Sequence, residues 1–365
     1  MAARVLPNDL KYTISGGEYL LVALWALGLV LLYVMGGSYG VRLLQKYKAQ
    51  TAQFRQDWIS AQVVGPAVET ANLPSPNEEG PVDVNVGIYI DYIGEFSLTE
   101  NRWTADFDLW FAWTGDQVHP GETFEIVDGQ VEHKEKIESR SQGDQHYERY
   151  RIRARILKFI DPSRFPFNDE EAGICIEEKI NSAGRLRYVA DAQKSDINPQ
   201  AIRRFLRITK SAVFVKNHAR GVDRNMHSRF IYAMLISPLG MDIYVKMFQG
   251  LFASVAIALL APFIRPTHSS PKISLGIGAF FAVIGNNIAL GITLLGSNKL
   301  SLADMVTGIG LATIFLVLAE SAVSLYVFDS KGREKLSRLL DKTTFVVLLL
   351  GYVAINVLLP LAAKS

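Results

Sequence analysis

The chain has 365 residues, of which 49% are hydrophobic and 20% charged, and its formal net charge is +2. This near-neutral charge, without a basic cluster that includes aromatic residues, argues against a nucleic-acid partner. One cysteine, Cys175, excludes an intrachain disulfide and a multi-cysteine metal site. No metal-binding histidine motif, phosphate-binding glycine loop or nucleophile elbow occurs, so we expect a protein that is not an enzyme and needs no metal or other cofactor.

Hydrophobic residues are concentrated in five uncharged runs. These runs are residues 19–41, 247–264, 273–298, 305–319 with a continuation past Glu320 to residue 328, and 343–363. Because about 20 apolar residues span a bilayer, the pattern predicts an integral membrane protein with five spanning helices. The polar stretch between the first two runs must then form an aqueous domain.

The first run predicts a transmembrane anchor over residues 1–41. A cleaved signal peptide is the alternative, but the run is longer than a usual hydrophobic core and lacks an A-x-A cleavage site. After it, apolar residues recur at steps of three and four, which predicts that the helix continues as a stalk. They are Leu44, Tyr47, Thr51, Phe54 and Trp58. A Pro-rich linker over residues 73–81 closes this second segment, residues 42–80.

Residues 81–240 show the period-two alternation of half-buried strands. It occurs at residues 82–91, 103–113 and 149–156, with strand-like runs at 205–215 and 229–236. We therefore predict an antiparallel β-sandwich outside the membrane. One strand carries a row of arginines on its polar face, namely Arg149, Arg151, Arg153 and Arg155. This row either binds anions or forms a solvated face paired with acidic neighbours.

The third apolar run carries a stripe of residues that share one helix face. The stripe consists of Ser274, Gly278, Phe281, Gly285, Ile288 and Ile292, at steps of four and three. Such a face can line a pore. Alternatively, Gly278 and Gly285 are close-packing contacts between helices, because small residues serve this purpose in membranes.

Lysine and arginine placement predicts the orientation. Five basic residues lie in the loop at 329–342, and Arg265 and Lys272 lie after the second run. Both loops are expected in the cytoplasm, which places the N-terminus inside and the large domain outside. Arg42, Lys46 and Lys48 follow the first run on its outer side and oppose this orientation, but the C-terminal asymmetry is stronger.

Three local motifs resemble the pentameric ligand-gated ion channels of the Cys-loop superfamily. Residues 158–172 read KFIDPSRFPFNDEEA, similar to the family's signature loop, with Lys158 and Ala172 in place of its cysteines, as in prokaryotic members. Residues 113–116 read WTGD and are similar to the family's Trp-x-Asp with one extra residue. Residues 302–304 and 318–321 resemble the start and middle of the third channel helix. With the order of elements, the resemblance covers about residue 82 to the C-terminus.

The resemblance implies a homopentamer whose four C-terminal helices, residues 241–365, form the channel. The stripe would then line the pore, with Phe281 as the hydrophobic gate and Ile288 as a second ring. Pro271 and Lys272 would lie at the cytoplasmic mouth. A ring of Lys272 would favour anions, although the sequence assigns no selectivity.

The same resemblance implies a coupling loop at the base of the sandwich. Phe165, Pro166 and Phe167 would press on the link at residues 295–301, with Asp161 or Asp169 near Lys299. The alternative is that these residues simply cap the sandwich.

Departures from the family pattern limit what the resemblance implies. The usual proline is absent from residues 244–261, the N-terminal helix is additional, and residues 216–228 lack the tyrosine and tryptophan of an aromatic ligand cage. We expect a multi-pass channel in a bacterial inner membrane, which passes ions and is gated by protons or an unidentified small ligand. The alternative is a non-conducting pentameric sensor or scaffold that acts through the extra helix.

Overall fold

A computed structural model describes residues 14–63, 80–97, 100–158, 161–202, 206–220, 225–238, 240–265, 269–294 and 299–364. For residues 54–63, 95–96, 289–294 and 330–331 it describes the backbone alone. The chain divides into two compact units. One unit is Met1–Ala49, Pro162–Phe167 and Gly240–Ser365, and the other is Gln50–Asp161 and Asn168–Leu239.

Six α-helices occur in the described residues. They are α1 (Gly16–Val63), α2 (Pro120–Thr123), α3 (Met241–Ala258), α4 (Ser269–Leu294), α5 (Leu302–Lys331) and α6 (Glu334–Ala363). The start of α5 is fixed by a capping box, in which Ser301 and Asp304 bond each other's backbone amides. The same helix ends at Gly332, whose φ of +59° is the left-handed conformation that glycine adopts without strain.

Four of the described helical segments are long and apolar enough to cross a membrane. They are Gly16–Gln53, Met241–Phe263, Leu302–Asp329 and Glu334–Ala363. The remaining predicted run, the third (residues 273–298), lies largely in α4, and its last residues fall outside the described part of the chain. Apolar helices of this length together with sheets are consistent with a membrane protein that carries a sheet domain.

Helix α1 packs along α5 and α6 within the helical unit. Its Tyr33 hydroxyl hydrogen-bonds Thr313 at 2.6 Å, and the Trp25 indole donates to Thr344 at 2.9 Å. Near its start, Glu18 forms an ion pair with Arg333. The remaining surface of α1 exposes large apolar side chains, which suits a lipid-facing helix. They include Leu20, Leu21, Leu24, Leu27 and Leu31.

Ten strands in the described residues form two sheets. The strands are β1 (Val82–Ser97), β2 (Arg102–Thr114), β3 (Phe124–Ile126), β4 (Gly129–Gln142), β5 (Gln145–Leu157), β6 (Glu170–Glu178), β7 (Leu186–Ala190), β8 (Asp196–Ile197), β9 (Leu206–Arg220) and β10 (Asn225–Pro238). One sheet has the order β4-β5-β2-β1-β7, with β8 also paired to β1, and the other has the order β3-β6-β10-β9.

The two sheets share one hydrophobic core. The first sheet contributes the predicted alternating residues of β1, β2 and β5, such as Ile88, Phe107 and Ile152, all fully buried. The second contributes Ile174 and Phe230 among others. The period-two prediction for these strands is therefore confirmed.

The arginine row is paired with carboxylates across the sheet, as the second of the two interpretations predicts. Arg153 lies 2.7 Å from Asp106, and Arg151 lies 2.9 Å from Asp91 and 2.6 Å from Asp108. The remaining pairs are Arg149 with Asp108 and Arg155 with Glu132. Hydrogen bonds from Arg151 and Asn198 hold the pKa of Asp91 below its usual value.

The sheets differ from the prediction in one respect. We expected antiparallel pairing throughout, but β7 and β8 both pair parallel to β1. Such pairing joins strands that are distant in sequence and leaves no local turn signal. The other pairs, including β9 with β10, are antiparallel.

Candidate functional site

The predicted stripe lies on the exposed side of α4. Ser274, Gly278, Phe281, Gly285 and Ile288 are all exposed, Phe281 at 66% and Ile288 at 60%. At 3.6 residues per turn these five positions fall within an arc of about 80°. The opposite side of α4, including Ala279 and Val283, is buried against the helical unit. The side chain of Ile292 lies outside the described residues.

The glycines of α4 differ in what surrounds them. A Cβ atom at Gly276 would lie 2.3 Å from Leu318 of α5, so this glycine permits close helix packing. At Gly278 and Gly285, a Cβ atom would meet no described atom within 4 Å. Close packing against the described part of the chain therefore does not explain the two glycines of the stripe.

We predict opposite responses to the same substitution at two neighbouring glycines. Gly276→Val should destabilise the purified protein by about 1–3 kcal/mol, because the new methyl groups collide with Leu318. Gly278→Val should leave stability unchanged or slightly raised, because valine has the higher helix propensity. Thermal unfolding in detergent compares the two variants. An equal loss in both would indicate that Gly278 is also a packing contact, made with another copy of the chain.

The side chain of Lys272 does not line the cytoplasmic mouth of a pore, which corrects the prediction from the sequence. It is fully buried, with its Nζ 2.6 Å from Asp341 Oδ1 of α6 and 3.2 Å from the Ser324 hydroxyl of α5. Ser324 in turn hydrogen-bonds Ser337 at 2.7 Å. A buried Lys272 that is paired with Asp341 cannot form a ring that favours anions. Pro271, the other predicted mouth residue, is exposed.

Glu320 is a third buried ionisable residue near the Lys272–Asp341 ion pair. Its side chain is fully buried on α5 and interacts with Asp341. One ion pair and one further buried carboxyl group thus join α4, α5 and α6. Ionisable groups in such places are expensive and are retained for a structural or functional reason. The sequence shows each residue as an isolated charge beside an apolar run, but not that the three meet.

The predicted coupling loop belongs to the helical unit. Phe165–Pro166 is a cis peptide bond, and the buried Phe167 ring lies 5.7 Å from the Tyr244 ring of α3. Arg164, which sequence reasoning did not single out, is also buried and donates to the Ala363 carbonyl at 3.2 Å. Buried contacts of this kind anchor the segment to α3 and α6.

The structure describes some contacts of the remaining predicted coupling residues, Lys299, Asp161 and Asp169. The Lys299 ammonium lies 5.6 Å from the centre of the Tyr47 ring of α1. The Asp161 carbonyl accepts a hydrogen bond from Asn168 at 2.7 Å, and Asp169 accepts one from Ser237. Residues 295–298 of the expected link lie outside the described residues. The approach of Asp161 or Asp169 to Lys299 stays a prediction.

No protein-family model matches the chain, and no curated protein matches it. Functional assignment therefore depends on the residues and geometry described above.

Proposed function

We propose that the protein is a homopentameric ion channel whose pore is lined by the exposed face of α4. The observation that carries this proposal is the placement of the stripe. A Cβ atom added at its glycines would meet no described atom within 4 Å, and its serine and phenylalanine are exposed on the side of α4 away from the packed interior. One helix cannot enclose a pore, so closed rotational symmetry must bring several copies of this face together.

The rest of the fold supports the same proposal. Two mainly antiparallel sheets with a common core are the arrangement of a β-sandwich, which would form the extracytoplasmic domain. The loop containing Phe165 and Phe167 would transmit movement of that domain to α3 and α6. Arg265, after α3, and Arg338, in the second turn of α6, would face the cytoplasm of a bacterial inner membrane.

Conductance of the purified protein in planar bilayers tests the proposal. We expect discrete single-channel currents from the wild type and a smaller unitary conductance from Gly278→Val, because five added side chains would narrow the pore. Gly36→Val is the matched control. It makes the same substitution at a helical glycine of α1 whose Cβ would also meet no described atom, and it should conduct like the wild type.

Absence of current from assembled, membrane-inserted protein would contradict the channel proposal. A non-conducting sensor or scaffold of the same fold would then be favoured. An unchanged conductance in Gly278→Val would contradict the assignment of the stripe to the pore, even if the protein conducts.

A further inference from the structure

The helical unit contains an open cavity between the segment that follows α3 and the first half of α6. Its volume is about 430 Å³. The cavity is lined by Pro262, Phe263, Ile264, Arg265, Arg338, Asp341, Lys342, Phe345 and Val346. It is distinct from the exposed face of α4, and the proposed function assigns it no role.

Most of the cavity wall is apolar and accessible from outside. The rings of Phe263 and Phe345 meet edge to face with centroids 4.6 Å apart and form one wall. Phe263 is 65% exposed and Val346 is 49% exposed. A surface of this kind within a bundle of membrane-spanning length suits a hydrocarbon chain better than a water-soluble ligand.

The polar part of the cavity carries a positive charge. Arg265, Arg338 and Lys342 line it, and no described carboxylate lies within ion-pair distance of Arg265 or Lys342. Arg338 is paired with Glu334 one helical turn earlier. Asp341, the one acidic residue among the described lining residues, is already paired with the buried Lys272. The polar part of the cavity could therefore bind an anion. It contains Arg265 and Lys342, which have no described carboxylate within ion-pair distance, and the paired Arg338, all beside an apolar wall.

We propose that this cavity binds an anionic phospholipid of the surrounding bilayer. Its headgroup phosphate lies against Arg265, Arg338 and Lys342, and one acyl chain lies along Phe263, Phe345 and Val346. Basic pockets between membrane helices on the cytoplasmic side are suited to such headgroups. The inference rests on the proposed membrane orientation but does not require the protein to conduct ions.

Lipid retention tests the proposal on the full-length protein. The chain is reconstituted into vesicles of equal phosphatidylglycerol and phosphatidylcholine, extracted in mild detergent, and its retained lipids are counted by mass spectrometry. We expect phosphatidylglycerol to be enriched over phosphatidylcholine. The triple variant Arg265→Gln/Arg338→Gln/Lys342→Gln should reduce that enrichment about tenfold or more, because three cations leave the site.

Two further variants make the result specific. Arg42→Gln/Lys46→Gln/Lys335→Gln removes the same number of exposed cations outside the cavity and should retain the lipid like the wild type. Val346→Trp keeps every charge but fills the apolar part, and it should also lose the lipid. This variant provides an independent test if the triple variant fails to fold.

Several outcomes would overturn the proposal. They are equal retention of both lipids by the wild type, unchanged retention in both cavity variants, or equal loss in the control variant. Displacement of the retained lipid by millimolar glycerol 3-phosphate would show that the site takes a soluble phosphate instead. Because retention is measured without current, a negative conductance result leaves this test intact.

Discussion

Replacing Lys272 with methionine should destabilise the protein by about 3–5 kcal/mol, the usual cost of removing one partner of a buried ion pair. In the wild type its ammonium lies 2.6 Å from Asp341. Without the lysine, the buried Asp341 carboxylate loses its compensating cation. Thermal unfolding of the purified protein in detergent should show a large fall in midpoint temperature.

The double variant Lys272→Met/Asp341→Leu distinguishes the effect on stability of removing the whole ion pair from the effect of removing one of its charges. Replacing both partners with apolar residues should restore much of the stability, since a buried pair contributes little over a hydrophobic substitute. Lys335→Met changes an exposed lysine of α6 and should be nearly neutral. If Lys272→Met melted like Lys335→Met, the buried cluster would not stabilise the helical unit.

Phe281→Ala should raise the current in the absence of any stimulus several-fold. Phe281 is the largest side chain of the stripe, and a ring of phenylalanines would be the narrowest apolar level of the closed pore. A ring of alanines is wider and less able to exclude water, so the closed state would leak. Basal current in planar bilayers, normalised to reconstituted protein, provides the measurement.

The neighbouring Phe280 offers a control of the same size. It is 37% exposed and lies about 100° further round α4, outside the stripe. Phe280→Ala should leave the basal current near that of the wild type. A larger effect at Phe280 than at Phe281 would assign the gate to a different face of the helix.

Local patterns predicted the elements that bury one regular face. The alternation in β1, β2 and β5 is confirmed because their inward residues are fully buried in one core. Strand β4 went unpredicted because nearly all of its side chains are exposed, so it has no alternating burial to reveal it. Its position depends on pairing with β5 instead.

The candidate site was less predictable because it depends on contacts between distant residues. Periodicity placed the stripe on one face, but it could not show that a Cβ atom at Gly276 would collide with Leu318 while one at Gly278 would meet no described atom. Likewise, Lys272 lies 69 residues from Asp341 in the chain. Its burial follows from how α4 packs on α5 and α6, which no local pattern encodes.

A cryo-electron microscopy map of the detergent-solubilised protein would test most directly whether α4 lines a pore. We expect five copies around a central axis, with α4 the innermost helix and Ser274, Phe281 and Ile288 directed towards that axis. A different copy number, or a ring in which these side chains face lipid while another helix surrounds the axis, would contradict this assignment.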